Sequence, residues 1–113
     1  KKIKNLPVVY TFLSQEDLHL NNFKKGDTEG FVNYGLSLKN ISLSVIMIED
    51  RSQNLIKMSF RSKGNFSVNK FAKTYFNGGG HHNAAGGTSH KSLKETEKFF
   101  LSAIKECKKD FRI

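Results

Sequence analysis

The sequence has one cysteine, one proline, no tryptophan and two methionines among 113 residues, and its longest apolar run is the four-residue Val45-Ile46-Met47-Ile48. The single thiol, Cys107, cannot close an internal disulfide, so burial alone has to hold the chain together. A membrane-spanning helix needs about 20 apolar residues, far more than that run supplies. No apolar leader with a cleavage site opens the chain, and together these absences point to a reducing, cytoplasmic setting without a membrane. Acid is scarce as well: ten Asp+Glu stand against nineteen Lys+Arg, a formal charge of +9. Such a field attracts phosphates, nucleic acid or anionic lipid. Eight of the cations (Lys1, Lys2, Lys4, Lys98, Lys105, Lys108, Lys109 and Arg112) lie toward the ends, so the charge raises the expectation of a polyanion ligand without locating its site.

What is present is core material. Ten Phe and three Tyr, with 37% hydrophobic and 26% charged residues, describe a globular chain of a size that fits one domain. The chain opens on Lys1-Lys2-Ile3-Lys4 without an initiator Met. Residues 1–7 therefore read as the end of an interdomain linker, residues 8–113 as the domain, and the whole as a fragment of a longer protein. Val8-Val9-Tyr10-Thr11-Phe12-Leu13 predicts a strand, Ser14 a cap for a short helix toward Leu20, and Asp27 a cap for a helix through Glu29, Phe31, Val32 and Tyr34 that Gly30 and Gly35 weaken. Alternation from Ile41 to Ile48 predicts a central strand. Ile56, Met58 and Phe60 predict its hairpin partner, whose other face carries Lys57, Ser59 and Arg61. Ser67 precedes Val68, Phe71, Ala72 and Tyr75 at helical spacing. Ser92 and Glu95 form a capping box ahead of the stripe Leu93, Thr96, Phe100, Ala103, Ile104 and Cys107, which places Cys107 in the core. Strands mixed with helices in this order predict an α/β fold, a mixed sheet packed with helices in a single small domain.

Gly78-Gly79-Gly80-His81-His82-Asn83-Ala84-Ala85-Gly86-Gly87 has five glycines in ten residues. Residues without Cβ can turn several backbone N–H groups into one concavity, an anion nest, and a helical turn beginning at His81 would add its dipole and an imidazole donor. A flexible glycine loop is the plainer alternative. The segment is not a Walker loop, because it lacks the Gly-Lys-Ser/Thr ending, and Asn83 breaks G-x-G-x-x-G. His19, His81, His82, His90 and Cys107 show no metal-ligand spacing, so no metal site is expected on this chain. Arg61, at the end of a basic strand face, has the planar fork that suits a phosphate, although most surface arginines are merely solvated.

Gly78-Gly79-Gly80-His81 followed by Ala84-Ala85-Gly86-Gly87 resembles the signature of the DHH-associated C-terminal domain of RecJ-like and oligoribonuclease phosphoesterases. Gly26-Asp27-Thr28-Glu29-Gly30-Phe31-Val32-Asn33-Tyr34 and Ser59-Phe60-Arg61-Ser62 resemble its oligoribonuclease and pAp-phosphatase, exopolyphosphatase-related branch. The resemblance implies an N-terminal DHH domain in the same chain that holds a manganese pair, and a substrate-clamping role for this domain on short RNA or adenosine 3′,5′-bisphosphate. It implies that Gly78, Gly79, Gly80 and His81 face the cleft, His81 in a supporting catalytic role, and that Arg61 and Ser62 hold a substrate phosphate. A homodimer of the parent is left open. A cyclic-dinucleotide phosphodiesterase and a non-enzymatic tRNA-binding module, as in alanyl-tRNA synthetase, are the alternatives. Two departures stand out: Asn77 occupies a position where many relatives carry another glycine, and no Asp-His-His motif is present. The fragment alone is therefore expected to be inactive.

Overall fold

The computed structural model describes residues 1–14, 16 and 25–111. Val8–Leu13 (β1) runs parallel to Leu43–Asp50 (β2), with Val8 opposite Leu43 and Leu13 opposite Ile48. Parallel neighbours cannot be joined by a hairpin, and the crossover here carries the helix Lys25–Ser37 (α1). From β2 the chain turns through polar residues 51–54, where Asn54 takes φ 53°, into the antiparallel strand Leu55–Ser62 (β3). Helix Val68–Tyr75 (α2), strands Gly79–His81 (β4) and Ala84–Ser89 (β5), helix Leu93–Glu106 (α3) and a short 3₁₀ turn at Lys108–Asp110 complete the order. The result is one mixed five-stranded sheet, β1-β2-β3-β5-β4, with helices on both faces, an α/β fold.

Alternation of side chains sorts the two faces. Val8, Tyr10, Leu43, Val45, Met47, Ile56, Met58 and Phe60 point to one side, where α2 and α3 close the main core with Phe71, Phe76, Phe100 and Ile104. Phe60, Phe76 and Phe100 are fully buried, each contributing about 2–3 kcal/mol of apolar burial before entropy is counted. The rings meet edge-on or tilted, Phe60 against Phe71 at 5.6 Å and 77°, the arrangement that ring quadrupoles prefer. Both helices start where their caps dictate: the Ser67 hydroxyl accepts from Lys70 N–H, and the Ser92 hydroxyl accepts from Glu95 N–H at 3.1 Å. The Ser92 hydroxyl also donates to the Glu95 carboxylate at 3.0 Å. Cys107 caps α3 and is half-buried against the core rather than within it.

The opposite face of the sheet is covered by α1, which lies over β2 and β3 and reaches β1. Val32 and Ile46 are buried there. Gly35 is the contact point: a Cβ on it would stand 2.5 Å from Ser44 Oγ and 3.2 Å from Val9 Cγ1, so glycine sets how closely the helix settles on the sheet. α1 extends beyond the expected helix, and Asp27 lies within it rather than ahead of it. The short helix expected after Ser14 falls outside the described residues. Residues 1–7, expected as linker, pack on the domain: Lys2 bridges Val9, Ile3 N–H donates to Val8 O, and Leu6 is buried in the core.

Candidate functional site

β3, β5 and β4 stand side by side, and their register lines up the residues singled out from sequence. Arg61 pairs with Ala84 and Ala84 with His81, which makes one row across three strands. Two inter-strand spacings put the Arg61 and His81 backbones about 10 Å apart. One rung along, Ser59, Gly86 and Gly79 form a parallel row. These residues are half-buried or exposed, His81 being exposed and Arg61, Ala84, Gly86 and Gly79 half-buried. The two rows lie at the end of the sheet away from β1, and glycine and alanine supply half of their residues. The Arg61 guanidinium donates to Phe60 O at 3.0 Å, which folds the side chain back over its own strand. Lys57, on the same strand face, pairs with Asp50 at 3.1 Å. The Ser52 hydroxyl, then Lys57, hold the Asp50 carboxyl down at about 2.

The glycine decapeptide is a β-hairpin, not a loop running into a helical turn. His81 opposite Ala84 closes a two-residue turn of His82 and Asn83. The turn is pinned from three directions. Val68 N–H at the start of α2 donates to His82 O at 2.9 Å, Ser62 N–H donates to Asn83 O at 3.0 Å, and the His82 ring nitrogen Nε2 donates to Gly64 O at 3.1 Å. The anion nest expected from three glycine N–H groups is largely spent within the protein. Gly78 N–H donates to Ala72 O at 3.1 Å, and Gly80 N–H donates to the Asn69 side chain at 2.9 Å. Gly78 is needed for contact instead, since a Cβ there would fall 2.0 Å from Gly86 O. Gly80 takes φ +158°, a region few other residues enter.

Ser62, expected beside Arg61 at a phosphate, is buried. Its hydroxyl donates to Phe66 O at 2.8 Å and accepts from Asn83 Nδ2 at 2.9 Å. It therefore braces the 62–66 turn against the hairpin. Sequence reasoning missed two asparagines with the same kind of role, Asn83 and Asn69, whose amides tie the hairpin to β3 and α2. Asn83 drew notice only for breaking a glycine pattern, and Asn69 showed no signal within its helical stripe. Asn77, the departure from the family pattern, has φ 50°. Asparagine is the residue that tolerates the left-handed region best after glycine, so the substitution keeps the backbone turn. Among the described residues no three His, Cys, Asp or Glu side chains are placed to hold a metal ion, and no helix is long and apolar enough to cross a membrane.

The profile of the DHHA1 domain matches residues 5–110 of this sequence. Among solved structures, an exopolyphosphatase-related protein from Bacteroides fragilis is 39% identical with a TM-score of 0.90; the match covers 98% of this chain and 32% of that one. The chain thus spans about a third of that protein's length. The pGpG-specific phosphodiesterase PggH from Vibrio cholerae shares the fold at TM-score 0.63 and 14% identity, over 96% of this chain and 35% of that chain. So does the C-Ala domain of Aquifex aeolicus alanyl-tRNA synthetase, at TM-score 0.64 and 12% identity, over 91% of this chain and 96% of that one. No curated protein matches the sequence.

Proposed function

We propose, given that this chain belongs to the DHHA1 domain family, that the Arg61–Ala84–His81 row is the phosphate-holding face of a substrate-binding domain. On this reading the parent is a manganese-dependent phosphodiesterase acting on short oligoribonucleotides and adenosine 3′,5′-bisphosphate. The observation that carries the reading is the register itself: a guanidinium and an imidazole, far apart in sequence, share one row across β3, β5 and β4 where the intervening residue is only alanine. A surface lined by glycine and alanine lets a ligand approach the strands. Arg61 supplies a permanent charge with paired donors for a phosphate that does not react. His81, exposed on the edge strand, is the group in reach of a reacting phosphoryl oxygen presented from outside the domain. Gly79 and Gly80 offer only backbone to a ligand and have no room for a side chain: a Cβ would lie 3.1 Å from Asn69 Oδ1 at Gly79 and 2.7 Å from Ala84 O at Gly80. Gly78 and Ser62 act beneath the site, holding the hairpin in place.

The described residues hold no group of three His, Cys, Asp or Glu side chains that would fit a manganese ion; on this reading the pair sits on a DHH domain of the same chain. Phosphate gripping is common to the oligoribonucleotide and cyclic-dinucleotide readings. The Ser59-Phe60-Arg61-Ser62 and Gly26–Tyr34 matches favour the first. A tRNA-binding module would need no hydrolytic partner and would not depend on His81.

Steady-state kinetics of the intact gene product with short RNA and adenosine 3′,5′-bisphosphate test the assignment. Arg61→Ala raises KM about tenfold to a hundredfold, as expected when one charged hydrogen-bonding contact of about 1.5–3 kcal/mol is lost. His81→Ala lowers kcat more than it raises KM, because a donor aimed at developing charge acts mainly in the transition state. If both variants change KM alone, His81 is a binding residue and its catalytic role is wrong. If neither changes anything, the row is not the site.

A further inference from the structure

The turn that ends the His81 row has a second side. On it lies a cleft of about 730 Å³, bounded by the 63–67 turn, α2 and the chain from Cys107 to Phe111. That volume is in the range of a real ligand site. Lys63, Lys70 and Lys109 line it, together with His82, and among the described residues no Asp or Glu side chain does. Among the described residues none of these three lysines makes an ion pair, whereas Lys1 and Lys57 are each matched to a carboxylate elsewhere. The carboxylate at its margin, Glu106, accepts from the Tyr75 hydroxyl at 2.9 Å. The floor is aromatic: Phe66 and Phe111 are stacked with centroids 4.4 Å apart, and half-buried Tyr75 lines the wall. Three amides at the start of α2 are already taken within the protein. Val68 N–H donates to His82 O, and Lys70 N–H and Phe71 N–H are taken by Ser67.

We infer that this cleft binds the phosphodiester backbone of single-stranded nucleic acid, separately from the Arg61–His81 row. Three ammonium groups around one cleft, none of them ion-paired among the described residues, form a diffuse, sequence-independent attraction for successive phosphates. Phe66 and Phe111 are buried as the cleft's floor, and half-buried Tyr75 beside the track gives a base a ring to lie on. Ammonium groups, unlike the guanidinium fork at Arg61, do not fix one phosphate in one orientation. The cleft therefore suits a strand that runs past it rather than a single nucleotide held for reaction. His81 and His82 divide the two: His82 lines the cleft, and His81 ends the row across the sheet. The inference uses none of the residues assigned to the row and stands if that assignment fails.

Fluorescence anisotropy of the intact gene product, at an ionic strength of about 0.15 M where charges beyond about 8 Å are screened, decides it. The probes are a labelled dinucleotide and labelled RNA and DNA oligomers of about ten nucleotides, a length within the site size of single-strand binders. The variant carrying Lys63→Glu, Lys70→Glu and Lys109→Glu weakens binding of both oligomers about tenfold or more. It also flattens the slope of log K against log salt by about 2, the loss of three phosphate contacts. Dinucleotide binding stays unchanged. The same charge change on exposed α3 residues, Lys94→Glu, Lys98→Glu and Lys105→Glu, leaves oligomer binding within about threefold. If charge reversal impairs folding, the three Lys→Gln substitutions give the same pattern with smaller losses. Equal losses in the cleft and α3 variants, unchanged oligomer binding, loss of dinucleotide binding in step with the oligomers, or equal competition by a polyglutamate peptide of matched length would each overturn the inference.

Discussion

Replacing Gly78 by alanine tests whether the glycine run serves close contact or mere flexibility. Gly78 is absent from the residues with positive φ, so the backbone itself accepts alanine and the effect is steric. The added Cβ would lie 2.0 Å from Gly86 O, 2.7 Å from Gly87 Cα and 2.9 Å from Gly86 C. All three are main-chain atoms of β5, which is held by β3 on one side and β4 on the other, so no side-chain rotation relieves the clash. Ordinary contact begins at 3.4 Å, so the 2.0 Å approach must open by 1.4 Å. That shift strains the bond from its N–H to Ala72 O, worth about 1 kcal/mol. Overpacking where the hairpin meets Phe76 adds about 1–3 kcal/mol. The total is about 2–4 kcal/mol, or about 8–16 °C in Tm at roughly 4 °C per kcal/mol for a domain of this size. Gly30→Ala is the control, because a Cβ there meets nothing within 4 Å inside α1. It should gain about 0.5–1 kcal/mol from helix propensity. Thermal and urea unfolding monitored by circular dichroism measure both. A Gly78→Ala protein within about 0.5 kcal/mol of wild type would refute the contact argument and return the segment to a flexible loop.

Asn77→Gly should leave stability within about 0.5 kcal/mol, whereas Asn77→Val should cost about 1–2 kcal/mol, because φ 50° forces a β-branched residue into the left-handed region; urea midpoints decide. Tyr10 donates to Glu97 at 2.6 Å; burial, then this bond, push its pKa up to about 12, while the bond and Lys1 lower that of Glu97. Glu97 therefore contributes stability above the unfolded carboxylate range that is lost on acidification, and Tyr10 contributes stability below pH about 10 that is lost as pH rises through about 12. Tyr10→Phe should cost about 1.5 kcal/mol near neutrality and flatten both limbs of Tm against pH; unchanged limbs would sink the account. Asn69→Ala should expose the Gly80 amide, seen as faster hydrogen exchange at that residue with its neighbours in β5 still protected.

Much of the fold was legible because local rules and global packing agree. The Ser67 and Ser92 caps mark real helix starts, and the alternation around Ile56, Met58 and Phe60 gives a strand with the predicted buried face. Two kinds of feature were hidden. Parallel pairing of β1 with β2 depends on a crossover, and nothing in either strand's own sequence states its partner. The glycine hairpin was hidden for a different reason: strand propensity comes from side chains, and Gly79-Gly80 has none. Its structure is imposed from outside, by β5 along one edge and by Asn69 on the other.

The site divides along the same line. Arg61 and His81, the residues proposed for the site, could be singled out from their chemistry, since a guanidinium and an imidazole carry it in the side chain. That they form one row could not be named, because it depends on the β3–β5–β4 order, which inserts β5 between strands and places Ala84 between the two groups. Ser62 shows the converse error. Its hydroxyl is as capable of holding a phosphate as any other, but strand alternation places it on the core face with Phe60, while Arg61 points the other way. Adjacent residues of a strand cannot both face one ligand unless the strand bends. The expectation that Arg61 and Ser62 act as a pair conflicts with that rule, and the buried hydroxyl bonded to Phe66 O and Asn83 shows which of the two the sheet turns inward.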